Sequence, residues 1–517
     1  MNRKLIRLPA LLAAAAVGFS MLPRLSASAA VQKELTGYYG DLTFDKTVDI
    51  EDVMLLSDGL TVQESMRDEQ YERADLNHDG EVNAVDLTLL KRAAIGELEP
   101  EAIYTEVEVP DKLIDAPIRS LYQYLPSVGE ANILMIAVDF PDAKHPEQYS
   151  AEQIHTLTFG DENKADPCYP LESISAYYTR SSYGRLHLNG DVYLYTAQKN
   201  IDDYINQEIM LLDEVLGALD AEIDYNRYNA NGDMAIDTML LALPPSSDPE
   251  FGWSSPFWPC SFGYSGRKTF DNLFPGNICM GRWALSDRAG FNSTWIHELG
   301  HAMGLPDYYY YENAIGNGDG LTGEAGYLMM DDSIGDMSAF DKLMLGWYAE
   351  SEVQIYSGGT QTYQLDSSQH APGCVIVPYK ELNGYMSEYF VIENVTSDGN
   401  NASKLYGWGQ VFPLFQKGGL RVMHCDSELM YNFWRQPVAL KWNNYSPYYD
   451  NSNLKQRILR LVNDGKGFFR SRSVISNQTS GFAWYDAEGG QTVDPGVTIQ
   501  VGGFENGICS FTISQTT

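Results

Sequence analysis

Residues 296–307 read IHELGHAMGLPD, and this string limits the fold more than any other. It places His297 and His301 four residues apart, with Glu298 between them. On an α-helix positions i and i+4 share one face, so both imidazoles can reach one metal ion. Glu298 then lies beside the metal's open position. The fold must therefore hold a helix along a cleft and return a third ligand to it. Gly304 is placed to end that helix in a left-handed turn, which glycine adopts at little cost. The turn swings the chain so that Asp307 can come back to the metal. Glu324, further on, is the alternative third ligand. Asn292, Ser293 and Thr294 offer N-cap positions before the helix. A lone histidine is more often a structural residue than a ligand. Two around a glutamate, with glycine and aspartate at set spacing, read as a catalytic site for one zinc ion. Three protein ligands leave one position for water, with Glu298 as general base.

The first 29 residues read as a signal peptide. Arg3, Lys4 and Arg7 form the charged start, residues 8–22 (LPALLAAAAVGFSML) the apolar stretch, and Ala27-Ser28-Ala29 the cleavage site. The apolar stretch is short for a membrane span, and no later segment has 18 apolar residues in a row. No membrane insertion is expected, and the mature chain is expected to be secreted. A length of 517 residues suggests about three domains, and 44% hydrophobic residues supports packed cores. Without the leader, 70 acidic residues face 31 basic ones. Such a charge repels nucleic acid and anionic membranes, so no nucleic-acid partner is expected. It suits a chain that collects calcium. The six cysteines are scattered and form no C-x-x-C pair, so no disulfide scaffold is read here.

Residues 41–52 read DLTFDKTVDIED, and residues 75–86, 34 positions later, read DLNHDGEVNAVD. An apolar helix-like run follows each. Calcium needs several oxygen ligands in a tight loop. The second loop supplies them from Asp75, Asn77, Asp79, Asn83 and Asp86, with the backbone carbonyl of Glu81 at position 7 and Gly80 at the sharp turn. The first supplies Asp41, Thr43, Asp45, Asp49 and Asp52, with Lys46 in place of the glycine. The first site is expected to bind less tightly. Over residues 31–97 this repeat resembles a type I dockerin, the module that docks enzymes onto cohesins of a cellulosome scaffold. The resemblance implies a small all-α module with two calcium ions and a cohesin partner. It also implies cell-surface or cellulosome association. Partner choice in that family is read partly at loop positions 10 and 11, here Ile50, Glu51, Ala84 and Val85, with Lys91 and Arg92 further on.

Residues 98–111 are acidic and proline-bearing and read as a linker. The next domain is set at 112–350. Its residues 131–141 (ANILMIAVDFP) fit a buried strand. Asn229, Asn231, Asp233 and Asp237 crowd oxygen ligands into one loop. They form a candidate third calcium site, or a polar turn that satisfies its own backbone. Residues 323–347 read GEAGYLMMDDSIGDMSAFDKLMLGW. This segment resembles the Met-containing turn and following helix of M6-type peptidases, the immune inhibitor A group of secreted zinc proteases. LMIAVDFPD, SAYYTRSSYG, HELGHAMGLPDYY and KGGLRVMHCD add to the likeness, which spans about residues 130–470. It implies an α/β zincin domain, metzincin-like, acting on protein or peptide substrates. Met329 is then the Met-turn residue, with Met330 the close alternative. Asp331 stands where metzincins often carry a tyrosine, so no tyrosine is assigned to the transition state.

Residues 351–517 contain short alternating runs separated by Gly, Asn, Asp and Ser turns, and read as an all-β domain of sandwich type. The leading reading is a secreted zinc endopeptidase with a calcium-dependent dockerin. The rival is an inactive peptidase fold serving adhesion or scaffolding.

Overall fold

The computed structural model describes residues 31–516 except 63–65, 109–111, 119–123, 147, 249, 253–254, 270, 310–327, 381, 383, 408–409, 415–416, 445–455, 464–467 and 487–490. The expected signal peptide and the alternative ligand Glu324 lie outside the described residues. The chain divides into two compact units, Met1–Asp111 and Lys112–Thr517.

In the first unit, helices α1 (Ile50–Val62), α2 (Asp68–Ala74) and α3 (Ala84–Ala94) gather around Leu42, Val53, Leu56, Ala74 and Leu90. Asn83 caps α3, accepting from the N–H of Val85, while Asp86 reaches back to the N–H of Asn83. Strand β1 (Val31–Tyr38) pairs antiparallel with β2 (Ala102–Glu108). This corrects two expectations: the unit is not all-α, and half of the stretch expected as a linker is a strand. Acidity and flanking prolines suggest a linker, but Ile103, Thr105 and Val107 alternate along it at the two-residue period of a strand.

The second unit opens on a five-stranded sheet. Its strands are β3 (Gly129–Asp139), β4 (Leu186–Thr196), β5 (Thr238–Leu243), β6 (Cys260–Tyr264) and β7 (Gly276–Arg282), in the order β4-β3-β5-β7-β6. All neighbours are parallel except β6, the antiparallel edge. Alternate residues of β3 serve two cores. Ile133, Met135 and Ala137 join one, with helices α4 (Ala151–Phe159) and α5 (Ile174–Ser181). Leu134, Ile136 and Val138 join the other, against α6 (Glu208–Leu219). Burial on both faces explains the unbroken apolar run in the sequence.

Helix α7 (Arg288–Ala302) lies in the first core, with Phe291, Trp295, Ile296 and Leu299 buried. It starts earlier than the sequence suggests, because Asp287 caps it. Asn292 turns inward and donates to the carbonyls of Leu157 and Leu171 instead.

The carboxy-terminal third holds two principal sheets, one of five strands including Glu388–Val395 and Gly419–Asp426, and one of four including Val497–Glu505 and Ile508–Gln515. Phe390, Val422, Ile499 and Phe511 pack between them, and Trp484 is buried there too. The far face of the five-stranded sheet presents Tyr389, Val391, Met423 and Cys425 to the same core as α7. The boundary expected at 350/351 thus runs through one continuous core. All six cysteines are free thiols.

A buried ion pair ties this third to the helical layer. Lys342 Nζ lies 2.7 Å from Asp336 Oδ2, and both side chains are almost fully enclosed. Ser181 and Asn400 donate to Oδ1 of Asp336, and Gln369 donates to Oδ2. With four donors around it, the carboxylate stays ionised despite its burial, and its pKa lies below the usual range. Removing one partner of such a pair strands the other charge, which costs about 3–5 kcal/mol. Asp336→Ala is expected to lower the stability of the second unit by that amount in urea unfolding. Asp336→Ala combined with Lys342→Met is expected to recover part of the loss.

Candidate metal centre and cleft

The helix end sets the geometry. His297 and His301 project from one face of α7. Gly304, at φ +102°, then turns the chain back. Asp307 Oδ1 lies 3.0 Å from His297 Nε2 and 3.3 Å from His301 Nε2. Ligand atoms of the three residues lie within 4.8 Å of one another, the single such His, Cys, Asp or Glu cluster among the described residues. Backbone carbonyls hold the other ring nitrogens. His297 Nδ1 is 2.8 Å from the carbonyl of Met329, and His301 Nδ1 is 2.8 Å from that of Leu305. A carbonyl only accepts, so each Nδ1 carries the proton and each Nε2 turns a lone pair toward Asp307. Such facing lone pairs require a proton or a metal ion among them.

The electrostatics agree with that need. Burial disfavours the charged form of His301, but the carboxylates of Asp307 and Glu298 outweigh it and hold its pKa up at about 9. Burial likewise acts against the charge of Asp307, yet the two histidines hold its carboxyl well below the usual carboxylate range. Burial raises the pKa of Glu298, and Asp307 adds to this, while the histidines oppose it. Glu298 is 6% exposed, and its Oε2 has no hydrogen-bond partner. An orphaned carboxylate oxygen at such a site fits a missing aqua or metal partner. The donor set of two imidazoles and one carboxylate suits zinc.

The residues around the expected Met-turn divide two tasks. Met329 supplies the carbonyl that orients His297. Met330 places its sulfur against Gly300, where a methyl group would overlap it. Met330 thus packs its thioether on α7. The N–H of Tyr308 bonds the carbonyl of Met330, and its hydroxyl donates to Asp341, so Tyr308 is a buried brace. Sequence reasoning missed the Leu305 and Met329 carbonyls, because a backbone acceptor leaves no mark in residue type. It also missed that Trp442 and Asn443, from the carboxy-terminal third, line the same cleft. The cleft encloses about 1020 Å³, with Phe257, Trp258, Tyr309 and edge strand β6 among its walls.

The two amino-terminal loops share one hydrogen-bond plan. Asp52 Oδ1 accepts from the N–H groups of Leu42 and Thr43, and Asp86 Oδ1 accepts from those of Leu76 and Asn77. The N–H of Asp45 reaches Asp41 and that of Asp79 reaches Asp75. Thr47 bonds Asp45 as Glu81 bonds Asp79, and Glu51 bonds Asp49 as Val85 bonds Asn83. The loops differ in two ways. Position 6 is left-handed in both, but it is Gly80 in one and Lys46 (φ +67°) in the other. In the first loop alone among the described contacts, a guanidinium, that of Arg73, sits 2.8 Å from the position-1 carboxylate of Asp41.

The candidate third calcium loop is largely self-satisfied. Asn229 Nδ2 donates to the carbonyl of Asp233 and Asn231 Nδ2 donates to Asp237, while the N–H groups of Ala230, Asp233 and Ala235 bond acidic or amide oxygens of the same loop. Burial pushes the pKa of Asp237 up to about 6.

Residues 39–93 match the dockerin type I domain. No curated protein matches the chain. Among solved structures, wild-type OgpA from Akkermansia muciniphila is 13% identical at a TM-score of 0.27, over 61% of this chain and 88% of that one. Catalytically inactive OgpA from the same organism, in complex with an O-glycopeptide (glycodrosocin) substrate, is 11% identical at a TM-score of 0.25, over 61% and 94%.

Two outcomes are expected. Asp307→Ala lowers zinc occupancy after dialysis at neutral pH, measured by metal analysis, whereas a ligand role for Glu324 would make Glu324→Ala the more damaging change. In the dockerin, a non-glycine residue in the left-handed region costs about 1–2 kcal/mol, and Arg73 places positive charge where calcium would bind. Asp75→Ala is therefore expected to abolish the tighter calcium-binding event in titration calorimetry of the full chain, and Asp41→Ala the weaker one.

Proposed function

We propose that the chain is a secreted zinc-dependent endopeptidase, of metzincin-like zincin architecture and M6 type, carried on a cellulosome-type scaffold by its dockerin. The observation that carries the enzymatic half is the convergence of His297, His301 and Asp307 beside the unpartnered, buried oxygen of Glu298. The left-handed turn at Gly304, the Met330 thioether against α7 and the antiparallel edge strand β6 support the same reading.

His297, His301 and Asp307 would hold the zinc ion. When bound, zinc supplies a Lewis acid that lowers the pKa of water and polarises a carbonyl. Glu298 takes the proton of the attacking water, and its raised pKa makes it a stronger base than an exposed glutamate. It then passes that proton to the departing amine. The Met329 and Leu305 carbonyls keep both imidazoles in the tautomer that offers Nε2. An extended polypeptide can lie along β6, whose outer edge faces no other strand among the described residues.

The dockerin half implies a cohesin partner and an extracellular setting, which the leader at residues 1–29 supports. Ile50 and Val85, at loop positions 10 and 11, are 64% and 52% exposed and so free to meet that partner. The rival reading of an inactive scaffold protein gives no reason for an acid kept buried and unpartnered beside two histidines.

Glu298→Gln is expected to retain zinc and lose casein hydrolysis by a factor of at least about 100, since an amide cannot accept the proton. Near-wild-type turnover in that variant would remove Glu298 from the mechanism.

A further inference from the structure

The cleft that holds the metal cluster is poor in positive charge. Among the described residues, its walls carry no lysine and no arginine. Apart from His297, Glu298, His301 and Asp307, the one ionised side chain that lines it there is Glu208. A divalent ion held by the cluster would balance Asp307 and Glu298. The Glu208 carboxylate would then carry the uncompensated charge of the cleft.

The chain fixes this carboxylate in place. Glu208 opens α6, where the positive end of the helix dipole favours an ionised side chain. Asn206, in the left-handed region at φ +58°, turns the chain before the helix, and its N–H donates to Oε1 of Glu208 at 3.2 Å. Both residues line the cleft. No cation among the described residues pairs with Glu208. Desolvation pushes up the pKa of the Cys260 thiol in edge strand β6, and the carboxylates of Glu298 and Glu208 add to the rise. The charge of Glu208 is thus felt at the strand along which an extended polypeptide can lie. Beside it Ile209 also lines the cleft and is 40% exposed.

An unpaired carboxylate in a concave wall attracts a cation, more strongly than it would in open water. Lysine and arginine are the side chains of a polypeptide that stay cationic at neutral pH. Their methylene stems also suit an apolar neighbour such as Ile209. We propose that Glu208 is a specificity-determining residue whose carboxylate pairs with a lysine or arginine side chain of the polypeptide in the cleft, which rests on the endopeptidase reading above. The same charge repels an aspartate or glutamate at that position of the substrate.

The test uses the full-length zinc enzyme. A site that the wild type cleaves in casein is located by mass spectrometry and copied into quenched-fluorescence peptides. Each position flanking the scissile bond carries arginine or glutamate in turn, and kcat/KM gives the arginine-to-glutamate ratio at every position. The wild type is expected to favour arginine about tenfold at one position, with attraction and repulsion each contributing about threefold. Glu208→Gln keeps an oxygen for the Asn206 N–H but loses the charge, so the ratio there is expected to fall to within about twofold of one. Glu208→Lys is expected to invert it. A ratio of two substrates does not depend on the fraction of enzyme that is folded, so Glu208→Gln decides the matter even where Glu208→Lys misfolds. An arginine preference that persists undiminished in Glu208→Gln would overturn the proposal. So would a wild type with no arginine preference at any position. A zinc-loaded wild type that cleaves neither casein nor any peptide would overturn the endopeptidase reading, and this inference with it.

Discussion

The second unit is organised around a conflict of lone pairs. Two imidazole nitrogens and one carboxylate oxygen face one another at the wall of the cleft, His297 and Asp307 buried and His301 partly exposed. That arrangement persists only because each histidine is locked from behind, by the Leu305 carbonyl in one case and the Met329 carbonyl in the other. Freed from those carbonyls, either ring could flip and turn its N–H inward, and the cluster would lose its character as a ligand set. Much of the surrounding packing maintains these two backbone positions. The turn at Gly304 presents the Leu305 carbonyl. The segment from Leu328 to Asp336 presents the Met329 carbonyl, and it is fastened by a bond from the N–H of Met329 to the carbonyl of Asp336.

Asp336 links that segment to the rest of the unit. Its carboxylate gathers Ser181 from α5, Lys342 from the following helix, and Gln369 and Asn400 from the carboxy-terminal third. A buried ion pair of this kind contributes little net stability compared with apolar packing. Its value is directional, because four donors fix one carboxylate and so fix the backbone that bears it. The sheets beyond residue 350 are therefore structural partners of the metal centre. They are not an appended module, and the core they share with α7 leads to the same view.

The sequence pointed clearly to the cluster of His297, His301 and Asp307, because side-chain chemistry at fixed helical spacing is written in residue types. The two calcium loops were legible for the same reason, as was β3, whose apolar run matches burial on both faces. What the sequence concealed was mostly backbone or long-range. The cap of α7 falls on Asp287 because Asn292 is needed inside, and nothing local distinguishes a capping asparagine from a buried one. The strand Ala102–Glu108 was masked by its charge, since acidic residues on a two-residue period resemble a solvated linker until a partner strand is found. Met329 and Met330 are adjacent and chemically equal, so only their packing separates the carbonyl role from the thioether role. Trp442 lies 141 positions after His301 in the chain, and no spacing rule reaches that far.

The two kinds of metal site also differ in what they require. In the dockerin loops each carboxylate is already engaged by backbone N–H groups, in a pattern that repeats position by position. These bonds shape the loop while leaving oxygen lone pairs for a hard cation, whose role is to offset the repulsion of crowded acids. Arg73 already sets a positive charge against Asp41 in the first loop. The candidate metal centre has no comparable guanidinium among the described residues. His297 is buried and His301 partly so, one nitrogen of each ring is committed to a carbonyl, and Glu298 beside them keeps an oxygen unmatched. A hydrogen-bonded loop can wait for its ion with most of its polar groups satisfied. A ligand set such as this one, with its lone pairs turned toward one another, is complete only when a proton or a metal ion lies among them.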